Sequence, residues 1–226
     1  MRIPEAIPLM ILKNVTLFPE FLLPLHIFEP RYRRMLSDVM VSHRLFGVAM
    51  KCPWTAQEKP MPVVGVGLVR VSVDAPDGTS NLLLLGLKRV RCLGAESYKP
   101  YRMERVEVLP NDGEEAESVP VLVGRLRELI EDRLEHGTKG LQSQSLSSAI
   151  MSSNALTPEL LMNDAMSAMG ADLADSIQDA SGLADYAAST FLTNAMERQA
   201  VLETVNVPKR LKKVSEYLAA EIERAK

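Results

Sequence analysis

The sequence predicts an α+β chain, a β-rich half followed by an all-helical half, and three observations carry that prediction. Short apolar runs with strand-like spacing fill the stretch from Ile7 to Leu109. A polar, acidic segment, NDGEEAES at 111–118, then interrupts them. Beyond it the apolar period changes from two residues to that of an amphipathic helix. The expected division is a β-rich unit over 1–115 and a helical bundle over 119–226.

In the first half, Ile7–Leu12, Leu22–Phe28 and Leu45–Met50 are short apolar runs bounded by Pro, Asn and Glu. Val66–Val73 ends in alternation, with Val69, Val71 and Val73 assigned to one face and Arg70 and Ser72 to the other. Asp74–Thr79 is a turn in which Gly78 supplies positive φ. Leu82–Leu85 is apolar on both faces, as a central strand would be. Two more strands are expected over Lys88–Leu93 and Arg102–Leu109. The exception is Glu29–Met40, a helix with Pro30 at its first position and Tyr32, Leu36, Val39 and Met40 along one face.

In the second half, Val123, Leu126, Ile130 and Leu134 form one helical stripe, closed by Gly137 and Gly140. A Ser/Gln-rich segment follows, then a helix that starts at Thr157–Pro158 and ends at Gly170. Asp172–Ala180, Leu183–Leu192, Ala195–Thr204 and Pro208–Arg224 read as further helices, the last capped by Asn206. Leu141 to Glu197 holds no Lys or Arg, whereas the last helix carries Lys209, Arg210, Lys212 and Lys213. Such a distribution reads as a solvated acidic surface with a basic end.

The formal net charge is −3, which argues against a dedicated nucleic-acid binder. Two cysteines, Cys52 and Cys92, make no disulfide framework or cysteine-rich zinc site. No apolar run reaches the roughly 20 residues of a membrane span, and no signal peptide stands at the start, so the chain reads as cytoplasmic. The search for chemistry returns no phosphate loop and no nucleophile elbow. His26, His43 and His136 stand apart from one another, and His26, in an apolar strand, reads as a core residue. Cys52 lies near His43 in sequence, but no base that would activate its thiol is evident. No catalytic residue, metal ligand or cofactor is expected.

Binding is better supported. Phe21, Leu22, Trp54 and Met61 fall in Pro-rich stretches and are the candidate polypeptide-binding residues. The alternative is that they cap the core of the β-rich unit. Met162, Met166 and Met169 form a helical stripe suited either to core packing or to an adaptable binding face.

Ile7–Pro19, with its strand, polar turn and Phe18–Pro19, resembles the opening of the Lon protease N-terminal, substrate-binding domain family. Leu23–Tyr32 is similar to the family's next element, Gly86–Arg91 with Tyr98 and Tyr101 to a later strand, and Gln199–Leu211 to its helical region. The resemblance implies a PUA-like pseudo-barrel followed by a helical bundle. It also implies a non-catalytic module that binds a polypeptide or protein partner. In that family the domain precedes an ATPase and a protease; the chain stops at Lys226, so a stand-alone form is expected. The alternative is a nucleic-acid-binding PUA-like protein, with Arg70, Arg89, Arg91, Arg102 and Arg105 gathered on one face.

Overall fold

Apolar runs that cannot stay in water pair into one six-stranded mixed sheet in the computed structural model, which describes residues 2–141 and 177–225. The strands are β1 (Ala6–Leu12), β2 (Leu22–Ile27), β3 (Leu45–Met50), β4 (Val63–Asp74), β5 (Ser80–Ser97) and β6 (Met103–Leu109). Their order is β2-β5-β4-β3-β1-β6, and a further β5–β6 pairing closes five of them into a ring with β2 appended. Only β1 and β3 run parallel. Closure removes most of the open edge that a flat sheet would present.

β1 and β3 are buried on both faces, which is why they read as continuous apolar runs. Ile7, Leu9 and Ile11 join Val64, Val66 and Val90 in one core cluster, while Met10 turns to a second cluster with Phe46, Val48 and Leu84. Helix α1 (Pro30–Met40) lays Tyr32, Met35, Leu36 and Val39 on that second cluster. Met35 therefore takes the place expected for Met40, which is at the surface.

Two strand expectations change. In β4 a register shift between Val69 and Val71 breaks the alternation, so Val69 is buried while Val71 and Val73 are exposed. The runs expected at Leu82–Leu85 and Lys88–Leu93 are one strand of 18 residues, which pairs with β2, β4 and β6 in turn. Gly86 does not break it: a Cβ there would run into the carbonyl oxygen of Phe18, and Gly65 stands in the same relation to Leu17. These glycines let the 17–21 segment cross the sheet at backbone distance, with Glu20 N–H donating to Gly86 and Gly86 N–H donating to Phe21, both at 2.8 Å.

The chain divides into two compact units, Met1–Pro110 with Asn194–Val205, and Asn111–Thr193 with Asn206–Lys226. The first therefore includes a helix from the second half, α4 (Ala195–Leu202), capped by Asn194, whose side chain accepts from Met196 N–H and Glu197 N–H. Gln199 of α4 donates to the Val63 carbonyl at 2.8 Å, and buried Arg89 of β5 donates to the Leu202 carbonyl at 3.0 Å. Arg89 thus satisfies a carbonyl that the helix end would leave without a partner.

In the second unit, α2 (Val119–Leu141), α3 (Ala180–Phe191) and α5 (Val207–Ala225) pack together. Leu126 and Ile130 are fully buried in α2, as are Val207, Leu211, Val214 and Leu218 in α5. Gly137 and Gly140 do not close α2, which runs on to Leu141. Asp179 does not extend a helix into Ala180; it caps α3, accepting from Gly182 N–H at 2.6 Å. Asn206 caps α5 as expected, accepting from Lys209 N–H. Arg210 leaves the basic surface: its side chain is 0% exposed and reaches Ser181, Asn111 and Asp185 at 2.7, 3.0 and 3.5 Å. Asp185 is buried with it rather than part of an acidic surface.

The helix expected from Thr157, most of Asp172–Ala180 and the Met162/Met166/Met169 stripe lie outside the described residues. Among the described residues, no helix is long and apolar enough to cross a membrane.

Candidate functional site

The chain between β3 and β4 makes an excursion whose base is tied and whose middle is exposed. Lys51 bridges Pro60, Cys52 N–H donates to Lys59, and Met61 N–H donates to Met50. That tie carries Trp54 to the surface, 71% exposed, and tucks Met61 inside at 6%. Met61 was expected beside Trp54 on the loop; instead it packs with Met50 and Cys52 against Ala195. The cause is the return of the chain alongside β3, which turns the Met61 side chain inward. Leu22, at the start of β2, is 41% exposed, and Phe21 is half-buried.

The polar candidates are also relocated. His26 is not a core residue: it is exposed, bonds Asn81 at 2.9 Å and stacks on exposed Phe28. The His43 Nδ1 accepts from Leu45 N–H, and burial lowers that imidazole's pKa. Cys52 is buried, and burial pushes the Cys92 thiol up to about 12, far from a thiolate at neutral pH. Among the described residues, no three His, Cys, Asp or Glu side chains stand close enough to hold a metal ion.

Reading along the chain missed a cavity of about 570 Å³ in the first unit. Its floor is the β1 segment Leu9–Ile11, and Tyr32 seals the strand there. The Tyr32 hydroxyl accepts from Ile11 N–H at 3.1 Å and donates to the Ile11 carbonyl at 3.2 Å. Burial raises the pKa of that phenol, so it stays a neutral donor. Tyr98 and Tyr101 stand on the other side, Tyr98 over the Arg102 guanidinium and Tyr101 bonded to Asp38. At the mouth, Arg31 holds Glu58 by two hydrogen bonds of 2.6 and 2.7 Å and reaches Glu29 at 3.0 Å. The Glu58 bonds raise the Arg31 pKa further, and the guanidinium also lies over the Tyr32 ring at 4.4 Å. The only local signal for this arrangement was Tyr32 and Arg31 side by side after Pro30; its other walls come from distant segments.

The model of the ATP-dependent protease La (LON) substrate-binding domain matches residues 6–220. The chain belongs to this family. It is 30% identical over 226 residues to the Lon protease of Dictyoglomus thermophilum, covering 98% of this chain and 25% of that protein. It is 26% identical over 230 residues to the Lon protease of Desulfosudis oleivorans, with 98% of this chain and 25% of that protein covered. The chain therefore spans a quarter of the length of these relatives.

Solved structures share the Lon N-terminal fold. The N-terminal domain of Mycobacterium avium complex Lon protease superposes with a TM-score of 0.66 at 17% identity, over 95% of this chain and 98% of that one. The Lon N-terminal domain protein of Xanthomonas campestris gives 0.59 at 16%, over 94% and 98%.

On this Lon-type barrel the five arginines considered for nucleic acid are largely engaged within the protein. Arg89 is buried against Leu202, Arg91 pairs with Glu107 at 2.7 Å and Arg102 with buried Glu104 at 2.8 Å. Arg70 and Arg105 are exposed.

Proposed function

We propose that this chain is a non-catalytic polypeptide-binding module, acting as a binder or adaptor in the cytoplasm, that takes up unfolded or partner polypeptide on its first unit. The observation that supports this most strongly is Trp54, a large apolar ring left 71% exposed on a tethered loop in a member of a substrate-binding-domain family. Exposed Leu22 of β2 offers a second apolar contact. Aromatic anchors of this kind contribute about 2 kcal/mol or more where they are buried by a partner. Met61 is not part of this surface, and half-buried Phe21 contributes at its margin. The division into 1–115 and 119–226 is proposed as the site of a first cut in limited proteolysis, with the two segments staying associated through α4.

Trp54 is the single tryptophan of the chain, so its fluorescence reports on this surface directly. Titration with a reduced, carboxymethylated polypeptide is expected to shift its emission to the blue in a saturable way. Trp54→Ala is expected to weaken binding, followed by anisotropy of a labelled polypeptide, by roughly tenfold or more. Unchanged emission together with unchanged affinity of the variant would overturn the reading.

A further inference from the structure

The cavity beside Arg31 has a chemistry that the exposed Trp54 surface lacks: an apolar floor with a forked cation at its mouth. We propose that it binds an apolar residue bearing a free carboxylate, the terminal residue of a polypeptide, and that Glu58 holds the carboxylate's place until that ligand arrives. The choice of a polypeptide end over a free small acid rests on the polypeptide-binding reading above; the cavity chemistry itself does not.

Four observations support it. At about 570 Å³ the cavity falls within the range of sites that enclose a small ligand, roughly 300–1,000 Å³. Its floor makes no polar demand, because the Tyr32 hydroxyl already satisfies both backbone groups of Ile11. An apolar side chain laid on that floor beside Tyr98 or Tyr101 therefore leaves the Ile11 backbone groups with their partner. Third, Arg31 is aimed before any ligand comes: Glu29 lies 3.0 Å from both Nε and Nη2, Tyr32 lies under the guanidinium plane, and the two terminal nitrogens donate to Glu58 as a fork. A planar carboxylate is the group such a fork matches.

Fourth, the group now on the fork is easily displaced. The Arg31–Glu58 pair is solvent-exposed, at 37% and 44%, and Glu58 lies between β3 and β4, next to the Lys51–Pro60 bridge. Exposed pairs of this kind contribute little to stability. One carboxylate replacing another leaves the charge at the fork unchanged, which favours a monoanion over a phosphate chain. Lys59 lines the same cavity and forms no ion pair among the described residues, so it offers the incoming carboxylate a second cation. Displacing Glu58 leaves the base of its loop in place, because the Lys51–Pro60 bridge and the Cys52 N–H bond to the Lys59 carbonyl do not involve its side chain.

Calorimetry on the full chain tests this with three probes: a short peptide ending in Phe with a free carboxylate, the same peptide as its amide, and 3-phenylpropionate. The free acid is expected to bind roughly tenfold tighter than the amide, the scale of a charge-assisted pair. Glu58→Gln is expected to widen that ratio, by removing the competing carboxylate, and Arg31→Gln to abolish it. Arg31→Lys, which keeps the charge without the fork, is expected to restore it only in part. Equal binding of acid and amide, or no binding of the acid, overturns the proposal while the Trp54 reading stands. Glu58→Gln narrowing the ratio also overturns it. Phenylpropionate binding as tightly as the acid peptide supports the cavity chemistry and overturns the polypeptide end as its source.

Discussion

Two arginine–carboxylate pairs, one in each unit, show how far the surroundings of a pair decide its role. Arg210 and Asp185 of the helical unit are sealed away, at 0% and 2% exposure, with Ser181 and Asn111 taking further guanidinium hydrogens. Arg31 and Glu58 of the β unit have the better geometry, two short bonds in a fork, yet stand in solvent. Desolvation makes the first pair costly to break, because either partner left alone is an uncompensated buried charge. Water and ions replace the second pair's bonds readily. The sealed pair joins two helices of its unit, and the open one joins α1 to the segment between β3 and β4.

Breaking the sealed pair is expected to give the largest effect. Arg210→Ala should destabilise the helical unit by about 3–5 kcal/mol, read as an earlier loss of far-UV helicity in urea. Arg210→Met with Asp185→Leu should recover most of that loss, since replacing both charges removes the desolvation cost.

Met61→Ala comes next. It is expected to cost about 2–5 kcal/mol in a denaturation midpoint, because a cavity opens beside Met50 and Cys52. A change below about 0.5 kcal/mol, the range of surface substitutions, would put Met61 back on the surface.

Tyr32→Phe should follow at about 1–3 kcal/mol, because both backbone groups of Ile11 lose their partner. Amide hydrogen exchange at Ile11 should accelerate with it. Glu58→Gln is expected to shift stability by less than about 1 kcal/mol, with the difference shrinking as salt is added. A larger effect in the last variant than in the first would erase the contrast between the two pairs.

The sequence disclosed what is local. β1, β3, the turn with Gly78 at φ +78°, the Pro30 start of α1 and the Asn206 cap all depend on neighbours within a few residues. The two runs Leu82–Leu85 and Lys88–Leu93 read as separate strands because the purpose of Gly86 between them is not local: it clears space for Phe18 within one continuous strand. Arg210 and Asp185 read as surface charges because their partners sit on other elements, Asn111 about a hundred residues away. Of the candidate site, the exposure of Trp54 and Leu22 was legible from Pro-rich context, whereas the inward turn of Met61 depends on the pairing of Lys51 with Pro60. The cavity was illegible because α1, the 57–59 segment and the 94–102 segment meet only once the ring closes.

Ring closure also sets a timetable for synthesis. β1 lies between β3 and β6, and its register with β6 joins Ala6 to Arg105 and Pro8 to Met103. During translation β1 therefore has no second neighbour until β6, roughly ninety residues further on, has followed. For that interval Ile7, Leu9, Met10 and Ile11, all buried in the finished barrel, depend on one flank or on a chaperone for cover. Such distant pairing is slow by its nature, since a long loop must close before any contact rewards it. A protein that we propose takes up exposed apolar chain thus begins its own life as one.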